Sequence, residues 1–385
     1  MNKEQKLFLG KKRNKELSVE INSLNNNNIN HKSDNINNDK YKEIITLNFH
    51  SHWINKILIL KNQLNHNLIS SSADGLIILY DVYPKYNPLL KMKLFGESGV
   101  INLTELNNGL IIACSFAEIK QILIFYDENK KVYNYEIINN YIICSTYVIK
   151  CLELFNENLL CITQQNCIII LKKNNENEKI SKKNNNYKNR EIFELLQNEL
   201  CVNILQLTNN LFISCNINNS KYDLSTNSDQ KNNINCIKFY DKDFNIIRRI
   251  SKFYPTKSQN SILKINDKLV LVGVEASSNE INWNNKKGVI LINYKYLELL
   301  SFYETDNQIS SMILYQDMLF FGDDKGYIIK YKLEEQEIIK QNIKKIHQYN
   351  IITMEVDYIY NKDIKQNIFI LLTGSHDQKI KILSD

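Results

Sequence analysis

The sequence predicts an all-β fold, on three observations. From residue 41 onward, short apolar runs of four to seven residues, rich in Ile, Leu, Val, Phe and Tyr, alternate with polar turns. Helical periodicity is nearly absent, and no strand-like run is followed by a long helix. The runs recur in one order seven times, at a spacing of about 45 residues. Seven four-stranded units at such a spacing are typical of a seven-bladed β-propeller.

Each unit consists of three apolar runs in a fixed order, usually followed by a fourth. The third run is the most regular, and its seven copies are SSSADGLIILYDV at 70–82, QILIFYD at 121–127, CIIILKK at 167–173, CIKFYDK at 236–242, GVILINY at 288–294, GYIIKYKL at 326–333 and QKIKILSD at 378–385. Fourth runs include LLKMKL at 89–94, KVYNYEI at 131–137 and FNIIRRI at 244–250. The pattern therefore predicts four short strands in each blade.

The first unit also carries polar side chains in a characteristic order. In FHSHWINKILIL and the LISSSADGLIILYDV that follows it, a histidine precedes the inner strand, a serine-rich strand comes next, and an Asp turn leads to an aromatic–Asp ending. This order resembles the WD40 repeat. By that resemblance His50 is the leading histidine, Ser70 the hydroxyl and Asp74 the turn aspartate.

The last unit resembles the same repeat through His347, Thr373 and Asp377. Tyr80 in the first unit and Leu383 in the last stand where the family usually has tryptophan. In the family, the His, Ser/Thr and Asp side chains form a hydrogen-bonded chain that ties the loops of each blade together, so the resemblance implies a structural role for them. The middle units keep the apolar spacing but have lost most of these polar markers.

The two ends of the repeat region are expected to pair with each other. The last unit stops at its third strand, and the run YKEIITLNF at 41–49 has no other place in the repeat. If this run supplies the outer strand of the last blade, it joins the ends of the ring and removes an open sheet edge. WD40 propellers typically close in this way.

Residues 1–40 are expected to be a disordered tail, and residues 41–385 the propeller. The tail is rich in Asn and Lys and has too few apolar residues to bury a core. Its basic stretch at 11–15 is either a solvated segment or a nuclear import signal.

The charge distribution argues against direct binding of nucleic acid. The net charge is +6, but residues 1–40 contribute +3 and residues 172–190 contribute +5, so the remaining chain is close to neutral. A basic groove on the folded body is therefore not expected.

The chain is expected to be a soluble protein of the cytoplasm, the nucleus or both, without a metal or another cofactor. Its 8 cysteines form no CxxC pair and have no flanking histidines, which favours buried thiols in a reducing compartment. No apolar run approaches the ~18 residues that a membrane span needs. The amino-terminal residues contain no apolar signal core.

Catalytic motifs are absent from the sequence. It contains no GxSxG, P-loop, GxGxxG or HExxH motif. Asp74 and Asp377 are the conceivable acid pair, but both fall at blade-turn positions. We therefore predict that the protein is not an enzyme.

The place of a loop within its blade predicts on which face of the ring the loop lies. The loops that lead into each blade and the loops between its second and third strands share the top face, and the other loops share the bottom face. The insertions at 216–235 and 275–287 are expected on top, and those at 172–190 and 357–367 below. The 275–287 insertion contains Trp283, which either folds back on its blade or awaits a partner.

Residues just before the inner strands are expected at the mouth of the top face. By alignment they are Trp53, Gly99, Tyr147, Cys201, Ser261, Gln308 and Asn350. Trp and Tyr are enriched among interface hot spots. Trp53, Tyr147, Gln308 and Asn350, together with Trp283, are therefore our candidate protein-binding residues; for Trp53 and Tyr147 the alternative is packing between blades.

The leading hypothesis for function is a non-catalytic interaction scaffold, which binds a peptide or a subunit of a larger complex on the top face. It rests on the resemblance to the WD40 family. A second hypothesis is a phosphoinositide-binding propeller of the autophagy type, because Arg248 and Arg249 lie roughly where that family has paired arginines. A third is a propeller enzyme or accessory subunit, similar to diphthine methylesterase or to a subunit of a tRNA methyltransferase.

Overall fold

The computed structural model describes residues 42–61, 67–81, 85–164, 167–172, 190–194, 199–218, 235–276, 286–334, 337–361 and 366–384. The predicted tail at 1–40 and most of the predicted insertions lie outside these ranges, so those assignments stay predictions. The described residues form 28 strands. Within them there is no helix of the length and hydropathy that a membrane crossing requires.

The first four blades take up strands β2 to β16. Blade 1 contains β2 Ile54–Ile59, β3 Leu68–Ser72, β4 Leu76–Tyr80 and β5 Pro88–Lys93. Blade 2 contains β6 Asn102–Glu105, β7 Ile111–Cys114, β8 Phe116–Asp127 and the first part of β9 Val132–Glu153. Blade 3 contains the rest of β9, β10 Leu159–Thr163, β11 Cys167–Leu171 and β12 Arg190–Glu194. Blade 4 contains β13 Glu199–Thr208, β14 Leu211–Asn218, β15 Cys236–Asp241 and β16 Ile246–Ile250.

The last three blades include the strand from the start of the described chain. Blade 5 contains β17 Phe253–Pro255, β18 Ile262–Lys264, β19 Leu269–Ala276, β20 Lys287–Asn293 and β21 Glu298–Thr305. Blade 6 contains β22 Ile309–Tyr315, β23 Met318–Asp323, β24 Tyr327–Glu334 and β25 Glu337–Lys345. Blade 7 contains β26 Ile351–Asn361, β27 Gln366–Ser375, β28 Ile380–Ser384 and β1 Lys42–Leu47.

Strand pairing groups these elements as the repeat predicts. Five sheets each hold one blade, and a sixth holds blades 2 and 3, because the long strand β9 serves both. Its first part pairs with β8, and its end, from Val148 to Glu153, pairs with β10. The 28 described strands pair antiparallel throughout, and one isolated parallel bridge joins Asn260 to Ser311. The all-β prediction is therefore confirmed, and the grouping is consistent with seven blades.

The inner strands follow one another around a closed ring. β2 packs beside β6, β6 beside β9, β9 beside β13, β13 beside β18, β18 beside β22 and β22 beside β26. β26 then packs against β2 and closes the circle. A hydrophobic cluster fills each junction between neighbouring blades, the last one included. The core is therefore a ring of layers between sheets.

This architecture explains the apolar runs of the sequence. A central strand of a blade has a neighbouring blade on each face, so both sets of alternating side chains are buried. β3 and β7 are buried along their whole length, and β10 is nearly so. The outer strands have only one neighbouring strand and are mostly exposed, as β16 and β25 are.

The first strand closes the last blade, as the sequence predicts. β1 pairs antiparallel with β28, with Ile45 opposite Ile382, Thr46 opposite Lys381 and Leu47 opposite Ile380. Leu47 belongs to the hydrophobic cluster between blades 7 and 1. The outer edge of blade 7 is therefore built from the opposite end of the described chain.

Ile382 provides a test of this closure. Its side chain is fully buried in the cluster between blades 7 and 1. Ile382→Ala should lower the free energy of unfolding by about 3 kcal/mol, because it leaves a cavity in that layer. Urea denaturation measures the change. The matched variant Ile343→Ala, at an exposed position on β25, should change stability by less than about 0.5 kcal/mol. Equal effects in both variants would contradict the packing described.

Candidate functional site

A hydrogen-bonded chain ties together the loops of blade 1 on the top face. His50 Nδ1 lies 2.9 Å from Asp74 Oδ2, and His50 Nε2 lies 2.7 Å from Ser70 Oγ. Ser70 Oγ in turn donates to Tyr80 Oη at 3.1 Å. The chain connects the loop that leads into the blade with its second and third strands.

Blade 7 contains the same arrangement. His347 Nδ1 lies 2.9 Å from Asp377 Oδ2, and His347 Nε2 lies 2.8 Å from Thr373 Oγ1. The backbone N–H of Gln348 also donates to Asp377 Oδ2, at 3.2 Å. Leu383, at the position where Tyr80 stands in blade 1, cannot extend this chain.

The two turn aspartates are held in their charged form. Burial alone would raise the pKa of Asp74, but hydrogen bonds from His50 and from the backbone N–H groups of Leu76 and Ser51 outweigh it and lower the pKa to about 2. The pKa of Asp377 is also lowered, since hydrogen bonds from His347 and nearby backbone N–H groups outweigh its burial. Neither carboxylate is poised to exchange a proton near pH 7.

Blade 4 has a different buried network in the same place. By strand register, Ser214 and Tyr240 occupy the positions of Ser70 and Tyr80. No histidine leads into this blade. Instead Lys238 on β15 forms a fully buried ion pair with Glu199 at the start of β13.

Asn216 completes the network of blade 4. Its Nδ2 donates to Glu199 Oε1 at 2.5 Å, and its Oδ1 accepts a hydrogen bond from Ser214 Oγ at 2.5 Å. In blade 6, Asn307 stands at the position of Glu199 and Asp323 at the position of Asn216. Asn307 Nδ2 donates a hydrogen bond to Asp323 Oδ2 at 2.8 Å. Sequence reasoning missed both links; the signal was Lys238 within the apolar run CIKFYD, where an unpaired charge would be costly.

Two of the predicted binding residues project from the top face. Trp53 is 47% exposed, and its ring lies 4.5 Å from that of His376 and 4.9 Å from that of His52. Tyr147 is 40% exposed and makes an edge-to-face contact with Phe116, which is itself 45% exposed, at 5.1 Å. Trp53 therefore lies between blades 7 and 1, and Tyr147 between blades 2 and 3.

The other predicted residues are placed differently. Gln308 and Asn350 are partly buried, and their carbonyl groups accept hydrogen bonds from Asp324 N and His376 N. Cys201 and Ser261 are buried, contrary to their predicted place at the mouth, because both belong to the interior of the ring. Trp283 lies outside the described residues. Phe116 and His376 were not predicted, since neither directly precedes an inner strand.

The inner strand of blade 5 is interrupted, and the interruption explains where Ser261 lies. β17 and β18 both pair with β19, and residues 257–260 bulge out between them, while Thr256 N and Ser261 O still hydrogen-bond to Gly273 of β19. We call residues 257–260 the channel loop. Ser258 Oγ donates to the carbonyl of Ser310 in blade 6, and Asn260 Nδ2 donates to the carbonyl of Ile352 in blade 7 at 2.7 Å.

The channel loop also reaches the opposite side of the ring. Asn102 Nδ2 of blade 2 donates to Gln259 Oε1 at 3.4 Å. Lys150 Nζ of blade 3 donates to the Gln259 carbonyl at 3.1 Å and to Asn203 Oδ1 of blade 4 at 2.7 Å. Because it contacts blades on both sides of the axis, the loop closes the central channel at this level.

The channel around the loop carries charged side chains. Burial, together with the positive charge of Lys56, lowers the pKa of Lys150 to about 8. Lys56 Nζ lies 3.6 Å from Glu355 Oε1, and burial raises the pKa of that carboxyl group. The axis of the ring is thus a polar interior rather than an open passage.

No protein-family profile and no curated protein sequence matches the chain. Its structure is similar to that of the WD40 β-propeller domain of Doa1, with a TM-score of 0.61 and 11% identity over 89% of this chain and 97% of that one. A chain in the crystal structure of the mitotic checkpoint complex gives a TM-score of 0.60 and 9% identity over 89% of this chain and 93% of that one. The chain has the WD40-type β-propeller fold.

Saccharomyces cerevisiae Sqt1 shows the same likeness. Its structure has a TM-score of 0.60 to this propeller, with 9% identity over 90% of this chain and 99% of that one. Identities this low show that the propeller architecture is shared. The polar links of blades 4 and 6 illustrate how far its sequence departs from the regular repeat.

The described part of the propeller contains no built metal site. Within those ranges, no three His, Cys, Asp or Glu side chains come together in a way that could hold a metal ion. The cysteines described there form no disulfide, and most of them are buried. Burial raises the pKa of the Cys201 thiol to about 12, which makes it a poor nucleophile at pH 7.

The loop network of blade 1 makes the propeller sensitive to acid. Because the pKa of Asp74 falls from 3.8 to about 2 on folding, its contribution to stability is complete above about pH 4 and is lost as the pH falls towards 2. The stability advantage of the wild type over Asp74→Asn should therefore shrink across that interval in denaturant titrations. Asp267→Asn, at an exposed side chain, is the control. An advantage that stays constant with pH would contradict the network.

Lys150 makes stability depend on pH in the alkaline range, where its charged form opposes folding. Its pKa is lowered from 10.5 to about 8 on folding, so the charged form penalises the folded state below pH 8, and the penalty disappears as the pH rises towards 10.5. The stability of the wild type relative to Lys150→Met should therefore increase between pH 7.5 and pH 10. The lost contacts to Gln259 and Asn203 add an offset that does not vary with pH. A difference that is flat over this range would show that Lys150 is not desolvated.

Proposed function

We propose that this WD40 propeller is a non-catalytic interaction scaffold that binds a peptide or a subunit of a protein complex on its top face. The observation that carries the proposal is Trp53. Its ring is nearly half exposed on the rim, although a tryptophan is among the most favourable side chains to bury. Exposed aromatic side chains at fixed positions are typical anchors of protein interfaces.

The surroundings of Trp53 support this role. The ring packs against His376 and His52, so little side-chain freedom remains to be lost when a partner binds. Burial and the nearby His52 lower the pKa of His376. The imidazole of His376 that lies against the indole is therefore neutral at pH 7.

A second aromatic pair extends the surface to the next blades. Phe116 and Tyr147 are both exposed on the top face between blades 2 and 3. The channel loop contacts blades on both sides of the axis, so the described part of the ring offers a partner no open passage there. We infer that it lies across the top and contacts both aromatic groups.

The comparisons support a scaffold role in general terms. One structurally similar chain belongs to the mitotic checkpoint complex, a multi-subunit assembly. For this chain we propose a partner in such an assembly, and we leave its identity open. The cysteines without disulfides favour a reducing compartment, which is the basis for proposing the cytosol or the nucleus.

The geometry favours the scaffold over the two alternatives. Asp74 and Asp377, the conceivable acid pair of an enzyme, are each committed to a histidine of their own blade. Arg248 and Arg249 stand in IIRRISKF on β16, without the Phe and Gly that flank the paired arginines of the autophagy-type propellers.

The proposal is tested by quantitative affinity purification and mass spectrometry with single variants. Trp53→Ala and Tyr147→Ala should each reduce recovery of the same partner proteins, by about tenfold for Trp53→Ala, as expected for a hot-spot residue. Tyr296→Ala is the control, because Tyr296 is also an exposed aromatic residue but lies on the bottom face of blade 5. Thermal melts confirm that each variant is folded. Unchanged recovery with both top-face variants would refute the assignment of the face.

A further inference from the structure

The outer strand of blade 2 carries less charge than the outer strands of the other blades. Over residues 132–142, the first part of β9 contains a single charged residue, Glu136. The other six outer strands, which are shorter, each contain at least two; they are β1, β5, β12, β16, β21 and β25. Charged side chains protect a strand at the edge of a sheet from pairing with a further strand. The edge of blade 2 therefore has little of this protection.

This edge is open on its outer side. From Val132 to Ile142, β9 pairs with β8, and no strand within the described ranges pairs with its other side. An open edge of this kind presents backbone N–H and C=O groups to which a further strand can bond. Strand addition to a sheet edge is one of the common ways in which proteins recognise one another.

Three exposed side chains of this edge point to one side of the blade. Ile137, Asn140 and Ile142 pair with alternate residues of β8, because a one-residue bulge follows Ile137. Alternate residues of a strand point to the same side of the sheet. All three are exposed, and Ile142, at 76%, is the most exposed large apolar side chain in the described part of the chain. The edge thus presents two isoleucines with an asparagine between them.

The order of these three residues is the same from either end. A two-fold symmetric interface requires a surface that is complementary to itself. When two such edges pair antiparallel about Asn140, each Asn140 lies opposite that of the second copy, and each Ile137 lies opposite Ile142. The two amides can bond to each other, since an amide both donates and accepts, and the isoleucines form apolar cross-strand pairs. This symmetry favours a second copy over a strand of another protein, which would not require it.

The charges next to this edge do not oppose such pairing. Glu118 and Lys120 of β8 stand beside Ile142 and Asn140, and Lys120 Nζ lies 3.3 Å from Glu118 Oε2, so the two charges compensate each other. Glu136 precedes Ile137 and lies outside the segment 137–142. The pairing therefore brings no like charges opposite each other, which would be destabilising.

We propose that the outer strand of blade 2 joins two copies of this chain in a two-fold symmetric dimer. Residues 137–142 of the two copies pair antiparallel, so the two blades form one continuous sheet. Because the paired strands run in opposite directions, the two rings lie edge to edge with their top faces pointing to opposite sides. The dimer therefore presents two separate top faces, and its formation does not depend on what those faces bind.

Sedimentation velocity of the full chain at increasing concentration tests the dimer. The wild type should change from monomer to dimer. Ile142→Lys should raise the dissociation constant of the dimer about tenfold or more, because it places a charge on the paired edge of both copies. Ile247→Lys should leave the dissociation constant unchanged; it is the matched control, since Ile247 is 50% exposed on the outer strand of blade 4. Thermal melts confirm that both variants are folded.

Disulfide cross-linking tests the position of the symmetry axis. Asn140→Cys places two cysteines opposite each other in the dimer, within the distance that a disulfide needs. Oxidised glutathione should therefore link the two copies covalently, and non-reducing electrophoresis should show the linked dimer. Ile247→Cys, on the outer strand of blade 4, should stay unlinked under the same conditions.

Three results would overturn the proposal. The first is a wild-type chain that remains monomeric at every concentration. The second is a dimer whose dissociation constant is the same in Ile142→Lys, or which Asn140→Cys does not link, because its interface then lies elsewhere. The third is a set of assemblies larger than a dimer, because a two-fold pairing of this edge leaves no place for a third copy.

Discussion

The structure depends on the antiparallel pairing of β1 with β28. Without that pairing, blade 7 has three strands and an open edge, and the cluster between blades 7 and 1 loses Leu47. A propeller has no central core; its stability comes from layers between neighbouring sheets, and every layer requires both neighbours. The pairing joins the two ends of the described chain and completes the layer between blades 7 and 1. Each of the seven layers then has a sheet on both sides, and the loops of the top and bottom faces are held in place.

Within this ring, each blade must satisfy the polar groups that its loops bury. Blades 1 and 7 use a histidine between a hydroxyl and an aspartate, blade 4 uses the buried pair of Lys238 and Glu199, and blade 6 uses Asn307 and Asp323. The links differ in chemistry, yet each ties the start of a blade to its second or third strand. The apolar spacing stays regular while the polar residues change, which explains why the fold is clear although no family profile matches.

The sequence predicted those features that arise from repetition. Period-two strands buried on both faces leave continuous apolar runs, so the blades, the closing strand and the polar residues of blades 1 and 7 could all be located. Features that belong to a single blade could not be located from the sequence. The channel loop leaves the sheet because its partners, such as Asn102 and Ile352, lie in distant blades, and the pair of Lys238 and Glu199 joins residues from different runs. The exposure of Phe116 likewise depends on loop geometry, which a repeat pattern does not specify.

Amide hydrogen exchange followed by mass spectrometry tests the closed ring most directly. If β1 completes blade 7, the amides of 42–47 that bond to β28 should be protected as strongly as those of β28 itself and of the inner strand β2, and all three should exchange through global unfolding. Rapid exchange of 42–47, at the rate of an unstructured segment, while 54–59 stay protected would contradict the closure and with it the assignment of the two faces.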